Sequence, residues 1–129
     1  GSLWPRIFPK AESDRHAQTA PPDQPWHPLH VLPGSLLASA LGVTETQVNS
    51  FHVQAVRRPG DGVQITGFSA DGVVEAIECP GYPFVVGVQF HPERLLRSNP
   101  QMLNLFKAFV SAAAAYAEER RADAAAWQS

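Results

Sequence analysis

The residues of this chain best suited to chemistry are a histidine and a glutamate separated by one proline, His91-Pro92-Glu93, directly after the apolar run "FVVGVQF" at 84–90. In an extended segment residues i and i+2 face the same way. Pro92 fixes φ and removes a competing N–H donor. The carboxylate can then accept from one imidazole nitrogen, set the tautomer and stabilise the imidazolium. The other nitrogen is left to take a proton from a thiol or hydroxyl. By itself the tripeptide also reads as a strand-end histidine followed by a surface acid, because short motifs match by chance.

The elements that would position such a pair follow from the flanking pattern. "LHVL" at 29–32 predicts a short strand, Pro33-Gly34 a turn, and Ser35 and Gly42 the N- and C-caps of a helix of about two turns. "TQVNSFHVQAVRR" predicts one strand with Val48, Ser50, His52 and Gln54 on one face and Asn49, Phe51, Val53 and Ala55 on the other. Asp71-Gly72 between two β-rich runs predicts a hairpin with a two-residue type I′ turn. "CPGYP" is a further turn, and the run at 84–90 has the continuous apolarity of a strand buried on both faces. Ser98 or Asn99 should cap a last helix with Pro100 at its first position. Its inward stripe would be Met102, Phe106, Phe109 and Ala113, flanked by Leu103 and Val110, and the tail after Glu118 should fray. Residues 13–28, with four prolines, read as a solvated loop. The order predicts an α/β fold with at least one antiparallel hairpin attached to a more buried sheet.

At 129 residues and 44% hydrophobic composition the chain is sized for one domain or part of one. A net charge of -2 with both signs interspersed supplies no field for nucleic acid or an anionic membrane. The single cysteine, Cys79, excludes an intrachain disulfide, and no signal-peptide pattern or long apolar run is present, which together predict a cytoplasmic setting. The first residue is not methionine, so the chain is expected to begin after the point where translation did, as a processed product, an engineered piece or a fragment. His16, His27 and His30 show no metal-ligand spacing, and no metal site is expected.

Four blocks occur in order: "GSLWPRI", "NSFHVQAV", "DGVVEAIE" and "GVQFHPE". Together they resemble the C-terminal half of the class I glutamine amidotransferase family, most closely its γ-glutamyl-γ-aminobutyrate hydrolase branch, peptidase family C26. The resemblance implies the C-terminal half of a flavodoxin-like sheet with a hairpin and a C-terminal helix, so that 1–129 is a portion of one hydrolase domain, with 98–129 its last helix and tail. It implies hydrolysis of γ-glutamyl amide bonds by a Cys-His-Glu triad. His91 takes the base role and Glu93 the orienting role, and no cofactor is needed. The family's cysteine stands on a strand-to-helix elbow in a G-x-C-R-G context. Cys79, in a turn with no helix following, does not match it, so the nucleophile is expected in an upstream half of the domain absent from this chain. The expected partners are therefore that N-terminal half and a small γ-glutamyl substrate, and a homo-oligomer is compatible with the sequence. Asn49, Ser50, His52 and Gln54 match a segment near the family's substrate pocket. They could hold the α-amino and α-carboxyl groups, or His52 and Gln54 could only satisfy neighbouring backbone groups. The rival readings are a glutaminase feeding ammonia to a synthetase and a non-catalytic domain that keeps the fold.

Overall fold

The computed structural model describes residues 1–7 and 14–128. Among these residues, seven strands form two sheets. β1 (Ser2–Trp4) and β4 (Ala55–Arg58) make a small antiparallel pair. β2 (His27–Val31), β3 (Glu45–Val48), β5 (Gln64–Phe68), β6 (Val74–Glu78) and β7 (Val86–Val88) make an antiparallel sheet in the order β3-β2-β5-β6-β7. Two helices, α1 (Leu36–Leu41) and α2 (Gln101–Gln128), complete the α/β architecture. No helix among the described residues is long and apolar enough to cross a membrane.

Helix α1 forms as its caps dictate. Ser35 Oγ accepts from Ala38 N at 3.0 Å, and Gly42, at φ 76°, closes the helix in the left-handed region. The remaining N-terminal donors are met from a distance. The buried Glu78 carboxylate accepts from Leu36 N at 2.9 Å and Leu37 N at 3.0 Å, placing an anion where the helix dipole favours it. Glu78→Gln, which keeps size but halves the acceptors and removes the charge, is expected to cost about 1–2 kcal/mol, read from the urea midpoint.

One core joins the layers. Leu29, Val31, Val48 and Ala76 from the sheet meet Leu37 and Leu41 of α1, Met102 and Leu105 of α2, and Phe90 and Leu95 on either side of the His-Pro-Glu tripeptide. Gly67 is required within it. A Cβ there would lie 2.8 Å from Ala76 Cβ, in a stretch where the β5–β6 register already shifts.

Several expectations are corrected. The predicted strand through 46–58 is two strands in different sheets, broken at Asn49 and Ser50, whose buried side chains bond across the fold instead of projecting alternately. The hairpin exists, but its connection runs from Ser69 to Val73 and only Gly72, at φ 83°, has positive φ. Asp71 holds the turn with its side chain, accepting from the Ser69 hydroxyl and from Val73 N at 3.4 Å. Strand β2 begins at His27, two residues before the expected start, taking in Pro28 where β5 does not yet pair. The segment before it is less solvated than its prolines suggest, since His16 and Gln18 are buried. Gln18 Nε2 donates to the carbonyls of Ala20, Pro21 and Gln24, and its Oε1 accepts from Ser50 N. Ser13, where that loop was expected to start, lies outside the described residues.

Strand β7 is short, half-buried and, among the described residues, at the sheet edge, not covered on both faces. In α2 the cap is Asn99, whose Oδ1 accepts from Gln101 N at 3.2 Å. The inward residues are Met102 and Leu105, while Leu103, Phe109 and Val110 are exposed. The tail does not fray. The helix runs for 28 residues, as an alanine-rich sequence with interspersed Glu and Arg favours.

Candidate active site

His91 and Glu93 are brought together as expected, by a different local geometry. Pro92–Arg94 is a single 3₁₀ turn, closed by Arg94 N donating to His91 O at 3.1 Å and Leu95 N to Pro92 O at 3.1 Å. The turn, not an extended strand, sets His91 Nδ1 2.9 Å from Glu93 Oε1. Both side chains are about half exposed, 51% and 52%, so Nε2 of His91 is left facing outward while its other nitrogen is engaged. Slight burial pushes the Glu93 carboxyl up. Its own backbone N–H, His91 and Arg94 more than offset this and hold it below the ordinary carboxylate value. The acceptor stays ionised across the neutral range.

The turn is fixed at both ends. Phe90 and Leu95 are buried in the core. Asn49, fully buried, clamps the backbone of His91: its Oδ1 accepts from His91 N at 2.8 Å and its Nδ2 donates to His91 O at 3.1 Å and to Pro22 O at 2.8 Å. Phe51 lies edge-on to the imidazole, with ring centroids 6.1 Å apart.

The other residues expected near a substrate are placed as follows. Ser50 is buried, donating its hydroxyl to His16 O at 2.7 Å. His52 turns inward, its Nδ1 2.9 Å from Gln54 O and its Nε2 3.3 Å from Glu75 Oε1. Gln54 is exposed, its carbonyl accepting from Gln89 Nε2 at 3.3 Å. Cys79 follows β6 in the expected turn, with Tyr82 N donating to its carbonyl at 3.2 Å. No helix follows it.

The fold also assembles a group that linear spacing did not reveal. Glu75, fully buried on β6, is surrounded by His16 Nδ1 at 3.1 Å, His52 Nε2 at 3.3 Å and His27 Nε2 at 3.5 Å, all measured to Oε1. Asp71 Oδ2 lies 2.7 Å from His16 Nε2 on the other side of that ring. Burial pushes Glu75 up, but the histidines outweigh it and leave the carboxyl below its ordinary value. Burial likewise pushes His16 down, and Glu75 and Asp71 overcome it to raise the imidazole above its ordinary value. The signal available in the sequence was Glu75 itself, an acid set among Val73, Val74, Ala76 and Ile77, where burial demands a partner.

With this geometry in place, the fold can be compared with solved structures. It is similar to a Thermoplasma acidophilum protein assigned by name to the GMP synthases, with TM-score 0.62, 21% identity, and coverage of 74% of this chain and 46% of that one. It is also similar to the glutaminase domain of Trypanosoma brucei CTP synthase, with TM-score 0.53, 24% identity, and coverage of 67% and 38%. These likenesses show a shared α/β fold. The Peptidase C26 family profile matches residues 1–93, and the chain belongs to that family, within the class I glutamine amidotransferase-like proteins. Among curated relatives, γ-glutamyl-γ-aminobutyrate hydrolase of Escherichia coli is 30% identical over 127 residues, covering 94% of this chain and 50% of that protein. A Mycobacterium tuberculosis protein assigned by name to the glutamine amidotransferases is 42% identical over 90 residues, covering 70% and 28%. The chain thus spans half or less of the length of these relatives.

Proposed function

We propose that the full protein hydrolyses γ-glutamyl amide bonds with a Cys-His-Glu triad, in which His91 is the base, Glu93 orients it and the cysteine lies on a segment outside these 129 residues. The observation that carries this is the 2.9 Å His91–Glu93 contact on a turn anchored by two core residues and the Asn49 clamp. With Nδ1–H donated to Glu93, Nε2 of His91 takes the thiol proton as sulfur attacks the γ-carbonyl. The imidazolium returns that proton to the departing amine, leaving a γ-glutamyl thioester. His91 then deprotonates water for hydrolysis, which regenerates the thiol. None of these steps calls on a cofactor.

The remaining half of the domain is the first partner. The β7 edge and the exposed Leu103, Phe109 and Val110 of α2 are the surfaces it would cover. Of the expected substrate-contacting segment, Gln54 is the residue whose exposure suits a γ-glutamyl ligand. Asn49, Ser50 and His52 act behind it. Similarity to a Helicobacter pylori CTP synthase, 36% identical over 90 residues, favours one second reading, a glutaminase that passes ammonia to a synthetase. The near-complete coverage of this chain by the hydrolase relative favours free-standing hydrolysis.

Turnover of γ-glutamyl-γ-aminobutyrate and of glutamine by the full protein tests the reading. The 129-residue chain alone is expected to show none. Turnover by it that survives Cys79→Ala and vanishes in His91→Ala would mean that a different nucleophile is present. In the full enzyme Asn49→Ala should lower kcat roughly tenfold to a hundredfold with little change in KM, because a displaced imidazole loses alignment and not substrate affinity. Equal losses in His91→Ala and in the double variant with Asn49→Ala would place Asn49 upstream of His91.

A further inference from the structure

The group around Glu75 is not explained by amide hydrolysis, and its polar atoms are in an unusual state. Among the described residues, His16 Nδ1, His27 Nε2, His52 Nε2 and both carboxylate oxygens of Glu75 are buried without a hydrogen-bond partner. Orphans of this kind call for an explanation. The outward nitrogens supply it. His16 Nε2 faces the Asp71 carboxylate at 2.7 Å, His27 Nδ1 faces Pro28 O at 2.8 Å and His52 Nδ1 faces Gln54 O at 2.9 Å. The carbonyls can only accept, as does an ionised carboxylate, so in each neutral ring the proton belongs on the outer nitrogen and the lone pair on the inner one. Three inward lone pairs would then converge on a carboxylate, which repels them unless a proton or a metal cation lies between.

We infer that His16, His27, His52 and Glu75 form a site for a divalent transition-metal ion of zinc type. The donor set is three imidazole nitrogens and one carboxylate oxygen, which suits Zn²⁺. Metal–ligand bonds of about 2.1 Å in a tetrahedron separate neighbouring donors by about 3.4 Å, and the three nitrogens lie 3.1, 3.3 and 3.5 Å from Glu75 Oε1. His16, His52 and Glu75 offer donor atoms all within 4.8 Å of one another. His27 stands outside that set, with Nε2 3.5 Å from the same carboxylate oxygen, and would close in as the fourth ligand. Asp71 and the two carbonyls are the outer partners that hold metal-ligating histidines in one tautomer. A cavity of about 280 Å³, lined by Arg15, His16, His27, Ser69 and Asp71, adjoins two of the four ligands. With His27 drawn in as the fourth ligand no position is left for substrate, so the ion is structural: it ties β6 to β2, to the turn at His16 and to the segment that clamps His91.

The inference does not depend on the hydrolase reading, and its test reads metal directly. The full-length protein, purified without a polyhistidine tag or chelator, should carry close to one equivalent of metal by mass spectrometry. The metal-free protein titrated with Co²⁺ should develop the intense visible absorption of a four-coordinate cobalt ion, lost on adding Zn²⁺. His52→Ala should abolish the band. In case that variant does not fold, Asp71→Asn, at the rim of the site, should keep the native circular dichroism and weaken Co²⁺ binding about 10- to 100-fold. Folded protein with neither bound metal nor a cobalt band would overturn the site, leaving protons on the histidines to balance Glu75. A band indifferent to both Asp71→Asn and His52→Ala would overturn it too, by placing the ion elsewhere.

Discussion

Glu93→Gln in the full-length enzyme is expected to lower kcat by about 10²- to 10⁴-fold while leaving the fold intact. The side chain is half exposed, so the fold has little stake in it. The carboxamide, however, can turn its NH2 toward Nδ1 and favour the tautomer with its proton on Nε2, which cannot accept from a thiol. His91→Ala should cost at least as much. Because the proposed triad makes the two groups one unit, the double variant should be little worse than His91→Ala alone. Steady-state rates of the four proteins decide the matter. Losses that multiply, or a Glu93→Gln enzyme within about twofold of the parent, would make Glu93 a surface acid and withdraw it from the triad.

Glu75→Leu should be the most destabilising single change at a charged position among the described residues. It leaves His16, His27 and His52 aimed at a buried hydrocarbon, and removal of one partner from a buried ionic group typically costs about 3–5 kcal/mol. The urea midpoint should fall accordingly with the slope unchanged. Glu118→Leu, on the exposed part of α2, is the matched control and should stay within about 0.5 kcal/mol. If the two variants unfold alike, the histidines are balanced without Glu75.

What was legible in the sequence is what is local. Ser35 and Gly42 cap α1 as read, Asp71 and Gly72 lie in the hairpin connection though not as a two-residue turn, and Glu93 meets His91 though through a 3₁₀ turn, because each outcome is decided largely by a few neighbouring residues. Periodicity told which residues of α2 share a face but not how far the sheet extends beneath it. Leu105 is therefore buried and Phe109 is not. The alternation through 48–55 suggested one strand, since nothing local announces that Asn49 will bond to His91 forty-two positions away. The Glu75 group was hidden for the same reason in a stronger form. Its members come from a 3₁₀ turn, two strands and a loop, and no spacing rule connects 16, 27, 52 and 75.

The stretch Asn49–His52 faces two ways. Asn49 holds the backbone of His91, and three residues on, His52 faces Glu75 while its N–H bonds His16 O. Four consecutive residues therefore sit in two separate sets of contacts, and inheritance treats them as one block. Compensation for a change at 49 is expected near 22 or 91, and for a change at 52 near 16, 54 or 75. An insertion or deletion between them has no compensating position at all. Recombination that swaps this block between related genes should succeed when both sets of neighbours travel with it, and fail when either is left behind.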